Sequence, residues 1–374
     1  MSITIREVSF DNGIGEFIDF PHDLYANDTN YVPEVYIGQK DMMNPAKFPF
    51  HKYGKVKYFL AFKDGKAAGR IAAIENPNYN RYHNSNIGFF GFFDCIQDQG
   101  VANALFGKAA EYARDNGHIS MMGPTNFTTN ETAGTLVDGF NEPPKIMMTY
   151  NKAYYNELFE KAGFAKEMDL YAYMIYTERA SEKSLRIAEA LEERLKSRGI
   201  SFRNLRLKEI DEEAKRIKNI YNEAWEDNWG FVPFTDEEFE YLKNDLKMIL
   251  DEKWAYIAEK DGEPIGFGLT IPNINEILIK NKRGRLFPFG LFRLLFCKKS
   301  IRSVRVIALG VLEEYRRMGI EAIFFAKNIK RARELGIVGG EASWVLENNE
   351  PMVKAAENLN GIRYKTYRLY KISV

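Results

Sequence analysis

Arg316 and Arg317 sit in a tract, VRVIALGVLEEYRRMGIEAIFFAKNIKRARELG at residues 304–336, that reads as strand, basic turn and helix in immediate succession. Val304, Val306, Ile307, Ala308, Leu309 and Val311 form an apolar, β-branched run, and a helix rich in Ala, Ile, Phe and Lys begins near Gly319. The free amides at that helix start would point at whatever lies over the turn. With two guanidiniums beside them, the preferred guest is a phosphate or pyrophosphate. A solvated turn between any strand and helix can carry two arginines as well, so the local pattern leaves both readings open.

The segment ALGVLEEYRRMGIEAIFF resembles motif A of the GNAT (GCN5-related N-acetyltransferase) superfamily, in which a strand ends in Leu-x-Val and a Gln/Arg-x-x-Gly-x-Gly/Ala loop wraps the pyrophosphate of acyl-CoA. The resemblance implies that Leu309, Gly310, Val311, Arg316, Arg317, Met318, Gly319, Ile320 and Ala322 line an acyl-CoA or acetyl-CoA cosubstrate. One position departs from the pattern. The final small residue of the loop is Glu321, whose carboxylate would repel a pyrophosphate unless it points away or is paired. Downstream, GGEASWVLENNEPMVKAAENLNGIRYKTYRLYKI continues the likeness with a fifth strand, a fourth helix and a last strand.

The elements that position this site are written twice along the chain. In the second half, residues 200–207 read as a strand, 209–226 as a helix, and 254–260 with 264–271 as a hairpin turning at Asp261-Gly262, before the strand-turn-helix above. In the first half, residues 2–10 read as a strand, 57–62 with 67–75 as a hairpin across Asp64-Gly65, 86–96 as a strand, 101–116 as a helix and 119–123 as a strand. YNELFEKAGFAKEMDLYAYMI then resembles the fourth GNAT helix and the strand after it. The expected fold is therefore α/β, with tandem GNAT-like lobes that are each a mixed, mostly antiparallel twisted sheet flanked by helices. Their expected extents are 1–178 and 200–374, joined by a charged helix at 179–199. In lobe one the phosphate loop would be QDQGVA, which offers Asp98 and no basic residue, so that lobe is read as having lost its cofactor site and as shaping the acceptor cleft.

Composition excludes several classes. The 374 residues, 45% hydrophobic and 28% charged, suit a soluble globular protein of two domains, and 52 basic against 52 acidic residues is not the balance of a general DNA or RNA binder. MSITIREVSFDNG is no secretion signal, and no apolar run is long enough to cross a bilayer, so the expected address is the cytoplasm. Cys95 and Cys297 are far apart, four histidines are scattered, and no metal is expected.

The resemblance implies direct attack of an amine, held between the lobes, on a thioester whose carbonyl is polarised by backbone amides near residues 309–311. The tyrosine that many family members place on the fourth helix to protonate the thiolate is replaced by Glu357 here, and by Phe159 in lobe one. Glu341 and Glu347, on or just after the fifth strand, are candidate bases. Asn348 and Asn349 either hold the acceptor or cap the next helix. A long insertion in lobe one supplies Asn126, Glu131 and Tyr150, and His83 lies in a similarly polar, aromatic setting. All four are also ordinary turn or core residues.

Residues 280–305, KNKRGRLFPFGLFRLLFCKKSIRSVR, combine nine cations with eight Leu and Phe and no acid, which suits peripheral contact with the inner face of an anionic membrane. A lid, a dimer contact or a buried helix would carry the same letters. The expected activity is transfer of an acetyl or longer acyl group from acyl-CoA to an amine, either a small molecule or a lipid amine such as a long-chain base. Two alternatives stay open at this level: an aminoacyl-tRNA-dependent transferase with paired GNAT-like lobes, and a non-catalytic sensor of CoA or lipid.

Overall fold

Asp64-Gly65 and Asp261-Gly262 both adopt positive φ, 49° and 79° in the first pair and 52° and 91° in the second. Such paired left-handed residues match the right-handed twist of two strands and fix a two-residue hairpin. Each hairpin seeds one of two compact units in the computed structural model, which describes residues 2–374. The first unit comprises Met1–Asp169, Asn275–Lys298 and Lys365–Val374; the second comprises Leu170–Ile274 and Lys299–Tyr364.

The first unit contains β1 (Ile3–Val8), β2 (Lys55–Lys63), β3 (Lys66–Glu75), β4 (Ile87–Cys95), β5 (Ser120–Gly123) and β6 (Thr135–Asp138). β1 to β4 pair antiparallel in sequence order, and β5 then joins β4 in parallel. The helix Gln99–Asp115 crosses between β4 and β5, as a parallel connection requires. Its buried Val101, Leu105 and Phe106 meet Phe90, Phe93, Phe159 and Phe164 in an aromatic core. The helices Ile14–Leu24 and Tyr36–Met42 were not expected from the sequence; the first carries Pro21 inside it, which argues locally against a helix.

The second unit contains the end of β7 (Ala165–Tyr176), then β8 (Ile200–Asn204), β9 (Ala255–Lys260), β10 (Glu263–Pro272), β11 (Ser303–Val311) and β12 (Gly339–Leu346). β8, β9, β10 and β11 pair antiparallel in order, β12 is parallel to β11, and β7 is antiparallel to β12. The helices Glu182–Lys196 and Ile320–Leu335 contribute Ala188, Leu195, Ile320 and Phe324 to one core, while Ile210–Trp225 contributes Ile217, Ile220 and Tyr221 to another. β13 (Ile362–Ser373) ends in the first unit, where it pairs with β5 and β6.

Residues 275–298, assigned by the sequence reading to the C-terminal half, belong to the first unit. The root of that segment explains why: Arg283 bonds Asp23 and lies 3.2 Å from Asp19, and the Arg285 guanidinium stacks 3.4 Å over the Tyr36 ring. Among the described residues no helix is long and apolar enough to cross a membrane.

Candidate active site

β11 and β12 run side by side only from Ser303↔Gly339 to Val306↔Ala342. Beyond that point β11 continues to Val311 on β10, while Val345 and Leu346 of β12 turn to β7. The two parallel strands thus part company and leave a wedge with backbone on both walls. The Leu312 amide bonds the Ile265 carbonyl at 2.9 Å. Alternation along an antiparallel pair therefore turns the backbone groups of Leu309 and Val311 away from β10, towards the wedge. The Trp225 indole, at the end of the helix Ile210–Trp225, donates to the Leu309 carbonyl at 3.1 Å, in agreement with that orientation.

The turn after β11 is a 3-10 helix, Glu313–Met318, and it ends at Gly319 in the left-handed region, φ 74°. The positive φ is what favours glycine there, while an added Cβ would only press on the tip of the Leu191 side chain at 2.6 Å. At Gly310 the limit is space, because a Cβ would meet the fully buried Phe267 ring at 2.9 Å. Ile320 is buried in the core and starts the helix Ile320–Leu335, whose first amides face the turn. This arrangement can bind a diphosphate at the helix start and lay an extended amide-bearing arm along Leu309 to Val311.

Two expected ligands are placed differently from one another. Arg317 is exposed beside the helix start, and Met318 packs partly into the core. Arg316 instead ties the turn down, donating to the carbonyl of Ala224 at 3.0 Å and that of Val311 at 3.4 Å. Ala322 is exposed in the first helical turn. Glu321 beside it has its carboxyl raised above the ordinary range by burial, a shift opposed by its own backbone N–H and by Arg316.

The matching wedge in the first unit is filled. β4 and β5 separate after Phe89↔Met122, and the chain following β5 folds back into the gap. The Thr125 amide bonds the Phe90 carbonyl at 2.8 Å, and Asn126 Oδ1 accepts the Phe92 amide at 2.8 Å. A Cβ at Gly91 would stand 1.9 Å from the Thr125 carbonyl, so backbone is packed on backbone. The loop is closed too. Asp98 caps the helix Gln99–Asp115 by accepting from the Val101 amide at 3.0 Å, and Lys63 neutralises it. The protein's own carboxylate therefore occupies the position of an anion.

A family model described as acetyltransferase (GNAT) family matches residues 214–361. The chain is 34% identical over 365 residues to a protein named bacterial ceramide synthase from Caulobacter vibrioides, spanning 95% of this chain and 93% of that protein. The chain belongs to the GNAT family. It is an N-acyltransferase, and the family draws its acyl group from acyl-CoA or acetyl-CoA. A second relative, protein YghO of Escherichia coli, is 33% identical over 96% of this chain and 93% of its own length. Among solved structures, a tandem GNAT protein from the clavulanic acid biosynthesis pathway superposes over 100% of this chain and 98% of its own with TM-score 0.59 at 11% identity, a likeness of fold.

The candidate bases of this GNAT chain differ sharply in setting. Glu341 is completely buried, and both its oxygens are engaged: Ser343 donates to Oε1 at 2.5 Å with Arg305 at 3.5 Å, and Tyr364 donates to Oε2. Arg305 also bonds the Ser343 hydroxyl at 2.9 Å. Arg305, which the sequence reading grouped with the basic surface, is thus a 3% exposed core residue paired across β11 and β12. Glu347 is half-buried just beyond the end of β12. It follows the stretch of β12 that has left β11, past the irregularity between Ala342 and Val345. Asn349 caps the helix Glu350–Asn358 by accepting from the Met352 amide at 3.2 Å, and Glu357 is exposed on that helix.

The lobe-one candidates hold their own loops. Besides filling the wedge, Asn126 donates to Thr132 at 2.7 Å; Glu131 accepts from the Thr128 amide at 3.1 Å; Tyr150 donates to Asp28 at 2.8 Å, with its hydroxyl pKa raised by burial and by Asp28. His83 packs against Tyr79 with ring centroids 4.3 Å apart and the rings tilted by 37°. The residues missed from the sequence are Trp225, Ser343 and Tyr364. One signal pointed to the network: Arg305 stands between Val304 and Val306 in a strand that must be buried, which requires a carboxylate partner on the adjoining strand.

Proposed function

We propose that this chain joins a long-chain acyl group, carried as acyl-CoA, to the amine of a membrane lipid or long-chain base, working as a peripheral protein at the inner face of the membrane. The observation that carries the reading is its full-length likeness to the protein named bacterial ceramide synthase. The wedge beside β11 is the proposed place for the donor. Leu309 and Val311 would hold the extended arm, and Gly319 to Ala322 with Arg317 would hold the diphosphate. An amine nitrogen attacks the thioester carbon, the C–N bond forms as the C–S bond breaks, and CoA leaves as its thiolate. Glu347 is the proposed base, taking the ammonium proton directly or through water; in support, it is half-buried and directly follows the strand that parts from β11, whereas Glu341 is fully buried. The buried Glu341 network is assigned to positioning the two strands at the point where they part.

The test is to incubate the purified protein with acetyl-CoA or palmitoyl-CoA and either a polar amine or a detergent-dispersed long-chain amino alcohol, detecting amide by mass spectrometry. Amide from palmitoyl-CoA and the long-chain amine is expected. Amide from acetyl-CoA and the polar amine alone would overturn the lipid reading.

A further inference from the structure

Phe287, Phe289, Phe292 and Phe296 are 87%, 72%, 61% and 68% exposed, and Leu291 and Leu295 stand in water beside them. They belong to a helix, Phe289–Phe296, and the residues just before it. Only Gly290 of that helix is buried, where a Cβ would lie 2.9 Å from Asn281 and 3.0 Å from the Arg285 carbonyl. The missing side chain lets the helix lie flat, with its phenylalanines turned outward.

The root is fixed as firmly as the tip is exposed. Arg283 bonds Asp23, Arg285 lies 3.3 Å from Asp19 and stacks on Tyr36, and a Cβ at Gly284 would collide with the Glu34 carbonyl at 1.8 Å. A contiguous patch of large apolar side chains held out by ion pairs and close-packed glycines is the property of an interaction surface. Its charge identifies the partner. Lys280, Lys282 and Lys298 are exposed around it, and residues 280–299 contain no acid. The helix is eight residues long, about 12 Å, far too short to cross a bilayer but suited to lie in its interface.

We infer that Phe287 to Phe296 is a membrane-docking element that seats its phenylalanines among the acyl chains of an anionic bilayer while Lys280, Lys282 and Lys298 meet lipid phosphates. Proposing a bilayer as the occupant rests on the lipid-acceptor reading, but the test needs no turnover.

The full chain is sedimented with vesicles of phosphatidylcholine alone or mixed with phosphatidylglycerol. Wild type should bind the anionic vesicles and bind the neutral ones weakly. A Phe289→Ser, Phe292→Ser, Phe296→Ser variant should lose partitioning by roughly a hundredfold or more. A Lys280→Gln, Lys282→Gln, Lys298→Gln variant should lose about fivefold per lysine on anionic vesicles only. Acyl-CoA binding in lipid-free buffer should be unchanged in both, which verifies their folding. Wild-type protein that stays in the supernatant overturns the inference, as does undiminished binding by the serine variant. A wild-type dimer that the serine variant dissociates, with vesicle binding unchanged, assigns the surface to a second copy and also overturns it. Acylation of a detergent-dispersed amine requires no bilayer, so these failures leave the proposed reaction standing and are distinguishable from its own.

Discussion

Replacing Glu341 with Gln separates a structural role from a catalytic one. Arg305 and Glu341 are 3% and 0% exposed, so the substitution leaves a guanidinium without a counter-charge where water cannot compensate. Removing one member of such a pair costs about 3–5 kcal/mol. For a unit of this size each kcal/mol shifts the thermal midpoint by roughly 2–4 °C, so a fall of about 10 °C is expected. Adding Arg305→Met to Glu341→Gln removes the stranded charge and should restore most of that loss, because a buried ion pair replaced as a whole is often neutral. The assay is differential scanning calorimetry of wild type, both single variants and the double variant, alongside turnover measured well below each midpoint. The double variant should retain turnover within about tenfold of wild type, since lost positioning is milder than a lost base. If Glu341→Gln keeps its midpoint within about 2 °C yet loses activity by more than a hundredfold, Glu341 is the base and the positioning role is refuted.

Glu321→Ala should tighten acyl-CoA by about fivefold, on the scale of one charge near a helix N-terminus. The wild-type carboxyl titrates above its ordinary range and is neutral below that pKa, so wild-type affinity should rise as pH falls through it, whereas the alanine variant should be flatter; calorimetric titration across pH checks both. His22 is pushed down to about 4, chiefly by burial, so its proton is bound more readily in the unfolded chain. Stability should therefore fall by roughly 3 kcal/mol as pH drops from about 6.5 to about 4, and His22→Gln should remove that slope in urea unfolding. Asn126→Ala should cost the first unit about 2 kcal/mol through its two lost side-chain bonds yet leave the acyl-CoA Kd unchanged. A changed Kd would assign the filled wedge a role in donor binding.

The hairpins and the strand-turn-helix were legible because their signals are local: Asp-Gly at the turns, an apolar run, and glycine where only glycine fits. The repeat of two lobes followed from the order of those signals, and the GNAT assignment from the resemblance of residues 308–325 to motif A. Beyond the need of Arg305 for some carboxylate, the particular partnerships across space were not legible. Nothing near Glu341 in sequence indicates that Arg305, Ser343 and Tyr364 converge on it, and nothing in QDQGVA indicates that Asp98 would cap its own helix and pair with Lys63. The cations of residues 280–305 looked alike as letters, but Arg283 and Arg285 anchor the segment, Arg305 is buried, and Lys280, Lys282 and Lys298 remain on the surface.

The central claim is that the wedge between β11 and β12 takes the acyl-CoA while its counterpart between β4 and β5 is closed. Hydrogen exchange of the full chain, with and without palmitoyl-CoA, tests it most directly. The account predicts added protection at Leu309, Val311 and the amides from Gly319 to Ala322, and none at Phe92 or Val101. Protection at Phe92 and Val101, with residues 309–322 unchanged, would contradict it.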